Sequence, residues 1–299
     1  MIDPGLTIRP DSSGRCCGNG FFRSVPCDAA IKMAGRPRLT HDVVPGIIAV
    51  STSASKMVIW ARSSRGMATT ERFRYFAVLT GDIIGSSQLR PTQLSSVRAS
   101  LGTTANTVRD WKRGLVKGEL EFFRGDGWQL LLTDPSMALR VAIILRASLL
   151  AQGLSDTRVA VGLGSIDETT SEGKVSLSMG QAFALSGQSL DKMTQYFRMT
   201  IEIPKSVRVL CDWLPIVGHL CDSLIRQWTE RQAEIVRIAI NPSEPEYEKI
   251  GRSLKPSISK QAVAKALAGA NWHAIREAIH TYEATPWETV LRMQTSVNQ

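Results

Sequence analysis

Cysteine chemistry is the first thing this chain lacks. Its 299 residues hold five cysteines, an odd count, with Cys16 and Cys17 adjacent and Cys211 and Cys221 ten apart. No Cys-x-x-Cys pair occurs, which excludes a thiolate zinc site of the usual spacing and leads us to expect a reduced, cytoplasmic protein. Histidine is scarce as well: there are four, and His219, His273 and His280 have no sequence neighbours that would complete a catalytic triad. Long apolar runs are also missing. MALRVAIILRASLLA is interrupted by Arg140 and Arg146, and VLCDWLPIVGHLCDSLI carries Asp212, His219 and Asp222, so neither spans a bilayer cheaply and no membrane partner is expected.

Charge is present in quantity and unevenly placed. The formal net charge is +9, of which residues 1–66 supply +5 through nine Lys or Arg against four Asp. That segment alternates Pro, Gly, Ser and Arg with apolar scraps such as VVPGIIAV and keeps no strand or helix period, so we expect it to be poorly ordered. A compact domain starts after Met67, in ATTERFRYFAVLTGD, which makes the stretch before it an expected upstream extension. From Lys249 to Arg276 six basic residues (Lys249, Arg252, Lys255, Lys260, Lys265, Arg276) follow one another with no acid between them, and this run is the better candidate for contact with a polyanion.

From residue 74 the pattern becomes regular. RYFAVLTG predicts a strand, and residues 88–117 a helix with Leu94, Val97, Leu101, Val108, Trp111 and Leu115 inward. ELEFFRGDGWQLLLTD predicts two strands joined around Gly125, Asp126 and Gly127. Asp134 can cap a helix opened by Pro135; RVAVGLG is a further strand, and QAFALSGQSLDKM a further helix. The order is βαββαβ and then α, which suits an α+β, ferredoxin-like sheet over residues 67–205 with helices on one face. Residues 212–228 carry Trp213, Ile216, Val217, Leu220, Leu224 and Trp228 at helical spacing, the pattern of a connecting or dimerising helix in a homodimer. Thr229 and Gln232 then form a capping pair, and EYEKIGRSL, the turn PSIS and KQAVAKAL make a helix-turn-helix. NWHAIREAIHTYE closes that all-α domain, over residues 206–285, and residues 286–299 form a tail.

The chemistry of the first domain turns on two carboxylates. Asp82 ends the first strand and Asp126 lies in the hairpin between the second and third. Adjacent strands would bring them to one end of the sheet, where a hard divalent ion wants such oxygens. Gly85, Ser86 and Ser87 follow where a helix begins, so backbone N–H groups there would face a polyphosphate. Each residue also has a plainer reading: Asp126 as a turn residue tolerant of positive φ, and Asp82 as a helix cap.

FAVLTGDIIGSSQL, FFRGDG, RVAVGLGSID and SMGQAFALSGQSLDKM together resemble the successive blocks of a class III nucleotidyl cyclase homology domain. The likeness is nearer still to the cyclase-related SatD family with its C-terminal helix-turn-helix, and it covers about residues 74–285. It implies a cyclase-type ferredoxin-like fold, Mg²⁺ or Mn²⁺ held by Asp82 and Asp126 with the Ile83 carbonyl as a further ligand, and a nucleoside triphosphate or related nucleotide as partner. Two departures count against turnover. Where cyclases place an asparagine and, four residues on, an arginine to offset developing charge, this chain has Ala184 and Gln188; Phe122 stands where many use a base-reading lysine. Gln181, Ser186, Gln188 and Arg124 are the nearest substitutes.

In SISKQAVAKAL, Ile258, Val263 and Leu267 are predicted to face the core, leaving Ser259, Lys260, Gln261, Ala264 and Lys265 outward. Lysine suits phosphate or guanine and glutamine suits adenine, so double-stranded DNA is the expected partner. The sequence is therefore read as a DNA-binding regulator with a nucleotide-sensing domain, and the alternative is an active Mg²⁺-dependent cyclase.

Overall fold

The computed structural model describes residues 75–166 and 180–292, all within one compact unit spanning residues 67–299. The expectations for residues 1–66 and for 293–299 of the tail lie outside the described residues. Strands and helices first alternate: β1 (Tyr75–Ile83), α1 (Pro91–Trp111), β2 (Val116–Phe123), β3 (Gly127–Leu132), α2 (Ala138–Leu150), β4 (Thr157–Ser165), α3 (Gln181–Lys192) and β5 (Met199–Glu202). Helices follow: α4 (Arg208–Ile225), α5 (Glu230–Ala239), α6 (Tyr247–Ser253), α7 (Lys260–Gly269), α8 (Trp272–Ala284) and α9 (Trp287–Arg292). The protein is thus α+β. Its strands form one mixed sheet in the order β2-β3-β1-β4-β5, antiparallel throughout except for the parallel pair β4 and β5.

The period-two pattern of β1 divides the core. Ala77, Leu79 and Ile83 join Leu130, Leu132, Val159 and Val161 against Val97, Leu101 and Val108 of α1 and the apolar length of α2. Phe76 and Val78 point the other way, to Leu131 and Ala182. Helix α3 therefore covers the second face, and the expected arrangement with all helices on one face does not hold. Its seat is made by Gly162: a Cβ there would stand 2.3 Å from the Ala182 carbonyl oxygen, so only glycine lets the helix backbone lie directly on β4. A hydrogen bond of 2.8 Å between the Thr80 and Ser186 hydroxyls fastens the same contact.

Three local features differ from or add to the sequence reading. Helix α1 stops at Trp111, because Gly114 turns the chain at φ 76° and β2 begins at Val116. Strand β5 was not expected. The pairing of β2 with β3 shifts register between Lys117 and Glu121, a local irregularity in the outer strand.

The two arginines that interrupt the apolar run of α2 are buried, not exposed. Arg140 donates through Nε and Nη2 to the Glu283 carboxylate at 2.6 and 2.8 Å, and through Nη1 to the Ile240 carbonyl at 2.6 Å. It thereby ties α2 to α8 and to the end of α5. Arg146 donates to both oxygens of Asp156 (3.0 and 2.7 Å) and to Asp222 of α4 (2.7 Å), while Arg198 also reaches Asp156. Leu139 and Ile143 of α2 share one buried core with Ile235, Leu267 and Trp272, so the sheet and the helical part are packed together. On α4, Trp213, Ile216 and Leu220 remain exposed. Among the described residues no helix is long and apolar enough to cross a membrane.

Candidate functional site

Two places in the fold collect the residues singled out from the sequence. The first is the end of the sheet where β1 meets the β2–β3 turn and the start of β4. Asp82 pairs with Gly127 on one side and Arg158 on the other, so Asp126 follows directly beside it. The Ile83 N–H donates to the Asp126 carbonyl oxygen at 3.2 Å, and the Ser86 hydroxyl donates to Asp126 Oδ2 at 2.6 Å. The Arg98 guanidinium donates to the Gly125 carbonyl and anchors the turn. The strand register thus places Asp82 and Asp126 next to each other at this end of the sheet.

Sequence reasoning missed the partner of Asp82. Arg158 donates to its carboxylate through Nε at 2.9 Å and through Nη2, and to the Met193 carbonyl through Nη1 at 3.4 Å. Hydrogen bonding to Asp82 leads, with the charges of Asp82, Asp126 and Asp191, in raising the guanidinium further above its ordinary pKa against the opposing effect of burial. The signal that could have found this pairing is register. Arg158 is the cross-strand neighbour of Asp82 on the face that carries α3, and it is the one charged residue of β4.

This donor set does not fit Mg²⁺ or Mn²⁺ as it stands. Both Asp82 oxygens are taken by Arg158, one Asp126 oxygen is taken by Ser86, and among the described residues no group of three or more His, Cys, Asp or Glu could hold a metal ion. Nor do Gly85, Ser86 and Ser87 open the long helix. Ser86–Gln88 is a single 3₁₀ turn, and α1 begins only at Pro91, whose ring nitrogen has no proton to offer. The Arg90 N–H just before it is already given to Gln93 Oε1 at 3.0 Å. Of the substitutes for cyclase donors, Ser186 is buried against Thr80 and Arg124 forms the turn at φ 50°. Ala184 and Gln188 are exposed on α3, and the Phe122 ring lies 5.6 Å from the Arg98 guanidinium carbon.

The second place is the helix-turn-helix. Thr229 and Gln232 cap α5 reciprocally, each side chain bonded to the other's backbone N–H. Gly251 permits the tight return from α6: a Cβ there would stand 2.3 Å from the Ile258 carbonyl oxygen, and the Ile258 N–H donates to the Gly251 carbonyl at 3.1 Å. Arg231 holds the turn by donating to the Pro256 carbonyl at 3.0 Å, and the Trp228 indole holds the end of α7 by donating to the Ala270 carbonyl at 2.8 Å. The Ser259 hydroxyl caps α7 by accepting from the Ala262 N–H at 3.2 Å. Val263 and Leu267 are fully buried and Ile258 partly so, as expected, while Ser259, Lys260, Gln261 and Lys265 are exposed; Ala264 is half-buried, not outward.

The charge around α7 is less one-sided than the sequence run. Arg252 pairs with Glu248, and Arg276 lies 3.8 Å from Glu244, so folding brings in acids from just before the run. Lys260 borders a cleft of about 400 Å³ that also contains Glu244, Glu246 and Glu248. Among the described residues no carboxylate lies within 4.0 Å of Lys249, Lys255, Lys260 or Lys265. No family model matches the sequence, and no curated protein matches it either.

Proposed function

We propose that the protein is a DNA-binding transcriptional regulator in which α7 reads duplex DNA. Its sheet domain is a cyclase-type, ferredoxin-like module that senses a nucleotide and has lost turnover. The observation that carries the reading is the division of α7 itself: Val263 and Leu267 are locked into the core while Ser259, Lys260, Gln261 and Lys265 stand together in solvent. A helix held that rigidly, with phosphate-reaching lysines beside a base-reading glutamine, has what major-groove recognition needs. The strand order β2-β3-β1-β4 supports the ferredoxin-like assignment, and the likeness of the four sequence blocks to the SatD family supports the pairing of this module with a helix-turn-helix. The acids near Lys260 make Lys265 the stronger phosphate contact and leave Gln261 the base contact.

The alternative, an active cyclase, draws its support from the adjacency of Asp82 and Asp126. Against it stand Arg158 on Asp82 and the absence of charged side chains at Ala184 and Gln188. The experiment that separates the readings is duplex binding by the full chain across a salt series, to a selected site and a random sequence. Lys265→Ala should weaken binding to both and reduce the salt slope by about one, whereas Gln261→Ala should cost about 1–3 kcal/mol on the selected site alone. Absence of binding at low salt, with pyrophosphate released from a nucleoside triphosphate, would favour the enzyme instead.

A further inference from the structure

The likeness to cyclases and the geometry disagree at one point. A divalent cation would need the Asp82 carboxylate, and a guanidinium already spans both its oxygens. We propose that Arg158 stands in the place of that cation, so that the carboxylate pair takes up no divalent ion and any nucleotide bound there is bound without a metal bridge. The inference rests on reading Asp82 and Asp126 as the ligand-facing groups of the sheet domain.

The fork of an arginine matches a carboxylate edge to edge, and unlike lysine it cannot neutralise itself by losing a proton. Arg158 also fits the place from three sides. Its cross-strand position opposite Asp82 is set by the β1–β4 register, its Nη1 is engaged by the Met193 carbonyl just after α3, and Asp126 and Asp191 add their charges. A metal ion entering here would have to break the two Asp82 contacts and leave a guanidinium beside itself. At an effective dielectric of about 20, two units of positive charge and one at roughly 4 Å repel by several kcal/mol, enough to erase weak divalent binding. Removing the guanidinium reverses the balance. Asp82 and Asp126, adjacent at the end of the sheet, would then lack the guanidinium's charge, and hard ions seek carboxylate oxygens.

The test is titration of the full-length protein with Mn²⁺ alone, following loss of the free-ion signal by electron paramagnetic resonance. Wild type should retain that signal, Arg158→Met should bind Mn²⁺ at least about tenfold more tightly than wild type, and Arg158→Lys, which keeps the charge, should gain nothing. Adding Asp82→Asn or Asp126→Asn to Arg158→Met should abolish the gain. The proposal is overturned if wild type binds Mn²⁺ as tightly as Arg158→Met and loses it with Asp126→Asn, or if a folded Arg158→Met gains no binding. Should both Arg158→Met and Arg158→Gln fail to fold, wild type still decides: binding that Asp126→Asn removes refutes the proposal, and its absence upholds it. DNA binding is not read in this assay, so either reading can fail alone.

Discussion

Replacing Arg146 by methionine gives the most demanding test of how the molecule is held together. The side chain is wholly buried and neutralises Asp156 and Asp222, themselves 4% and 1% exposed, which come from the start of β4 and from α4. Methionine fills much of the same volume but strands two carboxylates. Removing one partner from a buried pair costs about 3–5 kcal/mol. The lower end applies here, because Arg198 still reaches Asp156 at 3.0 Å and its backbone N–H still donates to Asp222 at 2.9 Å. About 3 kcal/mol corresponds to a fall in Tm of roughly 6–12 °C for a chain of this size.

The pH dependence should carry the sign of the mechanism. Burial alone would push the Asp156 carboxyl up, but the charge and hydrogen bonds of Arg146, with the Thr157 N–H and Arg198, outweigh it and hold the carboxyl below its ordinary value of 3.8. In wild type that contribution is complete above the ordinary value and is lost as pH falls through the lower, folded one. In Arg146→Met the buried carboxyl should titrate above its unfolded value, so folding takes up a proton and the deficit relative to wild type should narrow between pH 7 and about 4.5. Urea denaturation at several pH values measures both quantities, and Asp156→Asn with Asp222→Asn in the same background should recover much of the loss. A deficit below about 1 kcal/mol, or one that widens on acidification, would refute the reasoning.

Two further changes probe the helical part. Gly251→Ala places a methyl against the Ile258 carbonyl oxygen, at 2.3 Å before relaxation, and should cost about 1–3 kcal/mol by thermal denaturation while weakening duplex binding more than an equally destabilising core change elsewhere. Arg140→Met removes the link from α2 to Glu283 and to the Ile240 carbonyl; wild type should unfold in one transition by fluorescence and by circular dichroism, and separation of the two probes in the variant is the expected outcome.

What the sequence disclosed and what it hid differ by the range of the interaction. Caps were legible because their partners are two or three residues apart: Thr229 with Gln232, and Asp134 with the Ser136 N–H. So was the inward face of α7, whose apolar residues recur with the helical period. Strand β5 was hidden because MTIE is four residues long and carries no alternation strong enough to stand out; its partner β4 lies some forty residues away. The buried role of Arg146 was equally out of reach, since its two partners lie 10 and 76 positions on, and locally it reads only as a break in an apolar run. At the candidate site the adjacency of Asp82 and Asp126 followed from the strand order. The pairing with Arg158 needed the exact partner across β4, which a one-residue slip would have sent to the other face.

The register shift in β2 bears on how copies of this protein meet. Among the described residues β2 has a strand neighbour on one side only, and an open strand edge invites pairing with another chain. Here that edge carries charges: Lys117 and Glu119 are exposed, Glu121 half so, and the irregularity between Lys117 and Glu121 breaks the even row of backbone donors and acceptors that an incoming strand would need. The opposite edge, β5, is only four residues long and is backed by α4, where a Cβ at Gly218 would stand 3.1 Å from the Thr200 Cα. Growth of the sheet from molecule to molecule is thereby discouraged at both ends, and aggregation through strand addition should require β2 to lose its charges first.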